Sequence, residues 1–239
     1  MAAQLVQTQK VSGKGMVSDV ATTRRVGGYT AIAGAVTMVI GAILWGTSGT
    51  DLWLALDSSD LAGYLADVVG VKAQLVANLS VWILGVLILG VAGTVMTEMC
   101  QKRRVLAQVG LVCFRTAVPL VIVAYIAMLA VVVQLGGTVD ETAVAIAKVV
   151  GWIGARSDDL ATALIIGGGP LFISLAGHGE WVPTWLLRWG YLAGLAGLFS
   201  LVCLYIPGMV AYGFIVIPIG VIWMIAAGVV LLRGQKTAV

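Results

Sequence analysis

The sequence predicts an all-α, polytopic membrane protein with six transmembrane helices, and three observations carry that prediction. First, 60% of the residues are hydrophobic and only 10% are charged, whereas soluble domains carry about 25% charged residues. Second, the apolar residues collect into six stretches, 26–45, 73–97, 105–135, 160–176, 186–205 and 210–232. These match the roughly 20 residues a bilayer-spanning helix needs, the fourth being somewhat short. Third, the charges segregate by side once the stretches alternate across a bilayer. With the N-terminus in the cytoplasm, Lys10, Lys14, Arg24, Arg25, Lys102, Arg103, Arg104, Arg188, Arg233 and Lys236 fall on one side. Only Lys72, Lys148 and Arg156 fall opposite, among Asp51, Asp57, Asp60, Asp67, Asp140, Glu141, Asp158 and Asp159. Cytoplasmic loops are the basic ones, so both termini are expected in the cytoplasm.

Residues 1–25 are polar and lack the apolar core of a signal peptide, so they read as a cytoplasmic tail. Residues 26–233 form the membrane domain and 234–239 a second short tail. In the first span Gly27, Gly34 and Gly41 recur on one stripe, and the fifth carries Gly190, Gly194 and Gly197. Small residues let helices approach closely in lipid, which supplies no hydrophobic drive of its own. These stripes are read as packing faces inside the bundle, with a homodimer face as the alternative. Gly213 and Gly220 repeat the theme in the sixth span.

Residues 47–71 and 139–157 connect spans on the acidic, outer side. Their apolar residues recur at intervals of three and four, which predicts two short amphipathic helices lying on the membrane surface. The pair Asp158-Asp159 then opens the fourth span, where acids favour a helix N-terminus. Within that span stand Gly167, Gly168, Gly169 and Pro170. Glycines weaken a helix, and a proline leaves the carbonyl four residues back without a partner. The readings are a kink satisfied by neighbouring helices and a broken helix at a transport site. Pro207-Gly208 predicts a tight turn between the last two spans.

The third span follows Lys102-Arg103-Arg104 and contains Arg115 and Pro119. Arg115 is the one charge deep inside an apolar stretch, which makes it a candidate site residue. It reads either as a snorkelling arginine or as an anion or lipid-headgroup contact, with His178 and Glu180 of the next cytoplasmic turn as companions.

Several chemistries are excluded. His178 is the only histidine, so bis-histidine haem and His-x-x-x-His zinc cannot be built within the chain. There is no Gly-x-x-x-x-Gly-Lys phosphate loop, and no lysine lies in mid-membrane for a retinal Schiff base. Neither a catalytic set nor a metal site is expected. No cofactor is expected either, although apolar grooves and aromatics leave room for a bound lipid, quinone or pigment. The basic residues flank membrane segments, so no nucleic-acid partner is implied. Six tryptophans, Trp45, Trp53, Trp152, Trp181, Trp185 and Trp189, lie near loops and read as an interfacial belt. Trp82 and Trp223 lie deeper, as packing residues or cavity walls.

Two segments resemble a known family. They are Val105-Leu-Ala-Gln-Val-Gly-Leu-Val-Cys-Phe-Arg115 and Trp181-Val-Pro-Thr-Trp-Leu-Leu-Arg-Trp-Gly190, with the closing Leu231-Leu-Arg-Gly234. Together they resemble bacterial six-helix integral membrane proteins grouped only as a domain of unknown function. That family often has a glutamate just after the arginine, where this chain has Thr116, Ala117, Val118 and Pro119. The resemblance implies a bacterial inner-membrane protein and no particular activity. The functional expectation is a non-enzymatic scaffold, an accessory subunit of a larger membrane complex, or a lipid-binding module. Its partners would be the bilayer and other membrane subunits or further copies of itself. The alternative is a small transporter or channel using the break in the fourth span.

Overall fold

The computed structural model describes residues 2–203, 206, 209, 212 and 214–234, with side chains described from Val20 onward. The expected turn at Pro207-Gly208, Gly213 and the tail beyond Gly234 lie outside the described residues.

The described elements are helical throughout. Helix α1 spans Ala2–Gly46, α2 Leu52–Ser58, α3 Leu61–Glu98 and α4 Arg104–Ala130, which widens into a π turn at Val131–Leu135. Helix α5 spans Glu141–Thr162, passes through a second π turn at Ala163–Gly168, and continues as α6, Gly169–Gly177. Helices α7, Thr184–Cys203, and α8, Val216–Arg233, complete the bundle. Six helical rods are long and apolar enough to cross a membrane.

Helix boundaries differ from the expectation in three places. The polar tail expected over 1–25 is helical backbone continuous with the first span. Instead of two separate surface helices, only α2 stands alone. The rest of 47–71 is the start of α3, and 139–157 is the start of α5. Asp60 caps α3 and Asp140 caps α5, each accepting a backbone N–H at about the third residue on. The physical reason is length. Helix α3 has 38 residues, about 57 Å at 1.5 Å per residue, against a hydrocarbon core of about 30 Å. The α5–α6 rod has 37 residues and overshoots in the same way. The spacing of three and four that suggested surface helices instead lines the contacts between these overshooting ends and α2. There Leu52, Trp53, Leu61, Leu65 and Val68 are buried with Ala143 and Ala147.

Neighbouring helices close a ring in the order α1, α3, α4, α5–α6, α7, α8 and back to α1. The α5–α6 rod also touches α3 and α8. Its apolar window is 61% buried, against 39–44% for the other five spans. This rod is therefore the central element of the bundle. The glycine stripes lie in these seams: Gly27 faces Val95 and Leu231, Gly34 faces Leu89, and Gly41 faces Trp82. Gly190 meets Ser174, Gly194 meets Leu171, and Gly197 meets Gly167 backbone to backbone.

The fourth span does not unwind at Gly167, Gly168, Gly169 and Pro170. Thr162, Gly168 and Gly169 keep right-handed helical dihedrals, and the backbone widens by one residue instead. Pro170 supplies no N–H to Ile166, and the π turn re-registers the ladder around that gap.

One end of the bundle, where α4 begins and α6 and α8 finish, is tied by polar contacts. Arg24 donates to the Gly234 carbonyl at 3.0 Å, and Arg103 to the Leu175 carbonyl at 2.9 Å. The Glu180 carboxylate accepts from the backbone N–H groups of Gln101 and Lys102 at 2.9 and 2.8 Å, just before α4. Trp181 beside it donates to the Cys100 sulfur at 3.4 Å. Burial pushes the Cys100 thiol up to about 11, with Glu180 adding to the rise and the Trp181 bond opposing it. A protein retaining Cys100 as its sole cysteine is therefore expected to resist maleimide at pH 8. Thiol counting before and after denaturation checks this, with modification only after unfolding as the expected result.

Candidate functional site

The residues singled out from the sequence do not come together. Arg115 lies exposed on α4 and lines a groove of about 300 Å³ against α3, with Gly90, Thr94, Phe114 and Pro119. Glu180 is engaged at the start of α4, and the His178 backbone closes the last turn of α6 through the Ser174 carbonyl. Among the described residues no hydrogen bond or ion pair joins Arg115, His178 and Glu180. Trp223 is buried and donates to Ser174 Oγ at 2.9 Å, a packing role. No group of three or more metal-ligating side chains occurs among the described residues.

The chemistry lies instead at Asp158 and Asp159, expected to cap the fourth span. They do not cap it, because the helix begins at Glu141 and Asp140 is its cap. Both acids stand inside the helix, close to the middle of the central rod. Its inward face is made of small residues: Ala143, Ala147, Gly151, Gly154, Ala155 and Ala161 are buried along it. Asp158 belongs to that same face and is only 6% exposed. That register is the signal available from sequence. Positions 147, 151, 154, 158 and 161 step by three and four, and all but Asp158 are alanine or glycine.

The two carboxylates have different surroundings. Asp159 is held by Arg156 at 3.0 Å and by the indole N–H of Trp53 at 3.2 Å. Arg156 also lies 6.0 Å from the Trp152 ring centre. The Trp53 bond fastens α2 to the central rod. Asp51 sets up that helix by accepting from the N–H groups of Trp53 and Leu54. Burial raises the Asp51 carboxyl above its ordinary value, although both backbone bonds pull it down.

Asp158 has no such cation. Its neighbour is the buried Tyr125 hydroxyl, which interacts with the carboxyl. One oxygen, Oδ1, is buried with no hydrogen-bond partner. Asp158 lines a cavity of about 40 Å³ that is rich in aromatic rings, with Trp45, Trp53, Trp82, Tyr125 and Phe214 beside Met38, Ala42 and Ile217. The rings are in mutual contact. Trp82 stacks on Tyr125 at 5.3 Å, and Trp45 lies 5.5 to 6.5 Å from Phe214, Trp53 and Trp82. The Trp45 indole N–H is likewise buried and unpartnered. In comparisons with known proteins, no family model, no curated sequence and no solved structure matches this chain.

Buried polar atoms are almost always hydrogen-bonded, and an exception in a folded protein calls for an explanation. Here the residues that carry the unmatched acceptor and the unmatched donor, Asp158 and Trp45, both line one cavity. Such a space takes a water when it offers roughly 10–15 Å³ and polar partners. A space of about 40 Å³ therefore accommodates one or two non-hydrogen atoms, on the scale at which about 150 Å³ holds benzene. Thr162 lines the same cavity, and the π turn starts at the next residue. The site thus adjoins the one place where the central rod departs from α-helical register.

Proposed function

We propose that this chain is a small-solute carrier of a bacterial inner membrane, with both termini in the cytoplasm and the α2 cap outside. The observation that carries the reading is Asp158, a buried carboxyl with an unpartnered oxygen in an aromatic cavity at the centre of the bundle. Ionisable groups inside membrane bundles face cavities and mark solute or ion paths. The adjacent π turn gives the central rod a place to change register. The segregation of cations supports the orientation, and the resemblance to bacterial six-helix membrane proteins supports the compartment. This reading favours the transporter alternative over the scaffold or accessory subunit, because a scaffold has no use for an unmatched buried acid.

Thr162→Cys, in a background with Cys100, Cys113 and Cys203 replaced, tests the proposal without knowledge of the solute. A membrane-impermeant cationic thiosulfonate is added to either face of reconstituted vesicles. A carrier exposes the cavity to each side in turn, so labelling from both faces is the expected result. Labelling from neither face returns the protein to the scaffold reading. Labelling from one face alone makes it a binding protein that does not transport.

A further inference from the structure

We propose that the cavity at Asp158 recognises a small protonated amine of about one or two non-hydrogen atoms, ammonium or methylammonium. The proposal rests on reading the cavity as a solute site, and it adds the chemical class. Three features of the cavity select that class.

The first is charge. Arg156 is committed to Asp159, and among the described residues no cation pairs with Asp158. A buried carboxylate without a counter-charge is costly, and a cationic ligand supplies that charge on binding. An anionic ligand would add to the mismatch.

The second is the wall. Trp45, Trp53, Trp82, Tyr125 and Phe214 make up half of the residues that line the space. Aromatic faces carry negative potential, and tryptophan is the strongest of them toward a cation. An uncharged solute of the same size gains burial from these rings but not this attraction.

The third is the pattern of unmatched atoms. Asp158 Oδ1 requires a donor, and the Trp45 indole N–H requires an acceptor. A protonated amine donates to the first. A water bound beside it accepts from the second. A quaternary ammonium ion has no N–H to donate, and its methyl groups take up more of the space. It is therefore a poorer fit than a primary amine.

The test is titration of the purified protein in detergent at neutral pH, followed by tryptophan fluorescence, with methylamine hydrochloride as the probe. Sodium acetate, methanol, tetramethylammonium chloride and sodium chloride are run in parallel. Methylamine is expected to give a saturable change that the four comparison solutes do not. Asp158→Asn should weaken it at least tenfold and Trp45→Phe less, because the second change removes only the indole donor. The comparison among solutes uses the wild-type protein, so it stands even if a variant fails to fold. An equal response to methanol or sodium chloride overturns the assignment, as does undiminished binding in Asp158→Asn or no saturation by methylamine. If Thr162→Cys is labelled from both faces while amines fail to bind, the ligand class is wrong and the carrier reading survives. If it is labelled from neither face, the carrier reading itself falls.

Discussion

Gly167→Val is expected to destabilise the bundle by about 3 kcal/mol or more, the upper end for overpacking a filled interior. A Cβ at Gly167 would stand 2.7 Å from Gly197 Cα and 3.3 Å from the Ala193 carbonyl oxygen. Gly197 in turn would bring its own Cβ within 2.9 Å of Gly167 Cα. These partners are backbone atoms, so no side chain can rotate away. The central rod and α7 would have to separate along the seam. Gly70→Ala is the control. Nothing lies within 4 Å of a Cβ built there, so the substitution should stabilise α3 by about 0.5–1 kcal/mol through the helix propensity of alanine. Thermal melting of both variants in one detergent checks the pair. Equal effects would mean that glycine content, rather than close approach, sets their importance.

The same seam shows why some of the structure was legible in the sequence and some was not. The six spans were readable because hydropathy over about 20 residues reports bilayer thickness directly. Where α3 and α5 begin was not readable. Leu61, Tyr64, Leu65 and Val68 recur at spacings that suit a surface helix and the buried flank of a long rod equally well. Only their burial against α2 and the start of α5 separates the two cases. Asp158-Asp159 was misplaced for a related reason. An acid pair before an apolar run is what an N-terminus looks like, and the run after it was taken as the whole span. The alanine and glycine register from 147 to 161 held the correction, since an acid on such a face must enter the bundle. The aromatic belt misled likewise. Trp45 and Trp53 lie near loops in sequence, but α2 packs on α3 and α5 and brings the Trp53 ring against Trp45, and both residues line the cavity. Arg115 drew attention because a charge in an apolar run is conspicuous, whereas its position on the outer face of α4 is set by packing that no local pattern encodes.

Asp158→Leu and Asp159→Leu are expected to change stability in opposite directions, although the residues are adjacent. Asp158→Leu removes a buried acceptor that has no partner at Oδ1 and no counter-charge. The larger apolar side chain also fills part of the 40 Å³ cavity. What is lost is the interaction with the Tyr125 hydroxyl, worth about 1 kcal/mol net for an ordinary hydrogen bond. Replacing a buried charge by a packed apolar group is often stabilising by about 1–4 kcal/mol. A gain of about 1–2 kcal/mol is therefore expected, together with loss of the methylamine response. Asp159→Leu removes the acceptor of two bonds and strands the Arg156 guanidinium and the Trp53 indole N–H. Leaving a partly buried charge and a donor unpaired costs about 1–3 kcal/mol, and α2 loses its tie to the central rod. Melting temperatures in detergent distinguish the two substitutions directly. A destabilised Asp158→Leu would make that acid a structural group satisfied by Tyr125. A stabilised one would mark the usual trade, in which a binding site is kept at some expense of the fold.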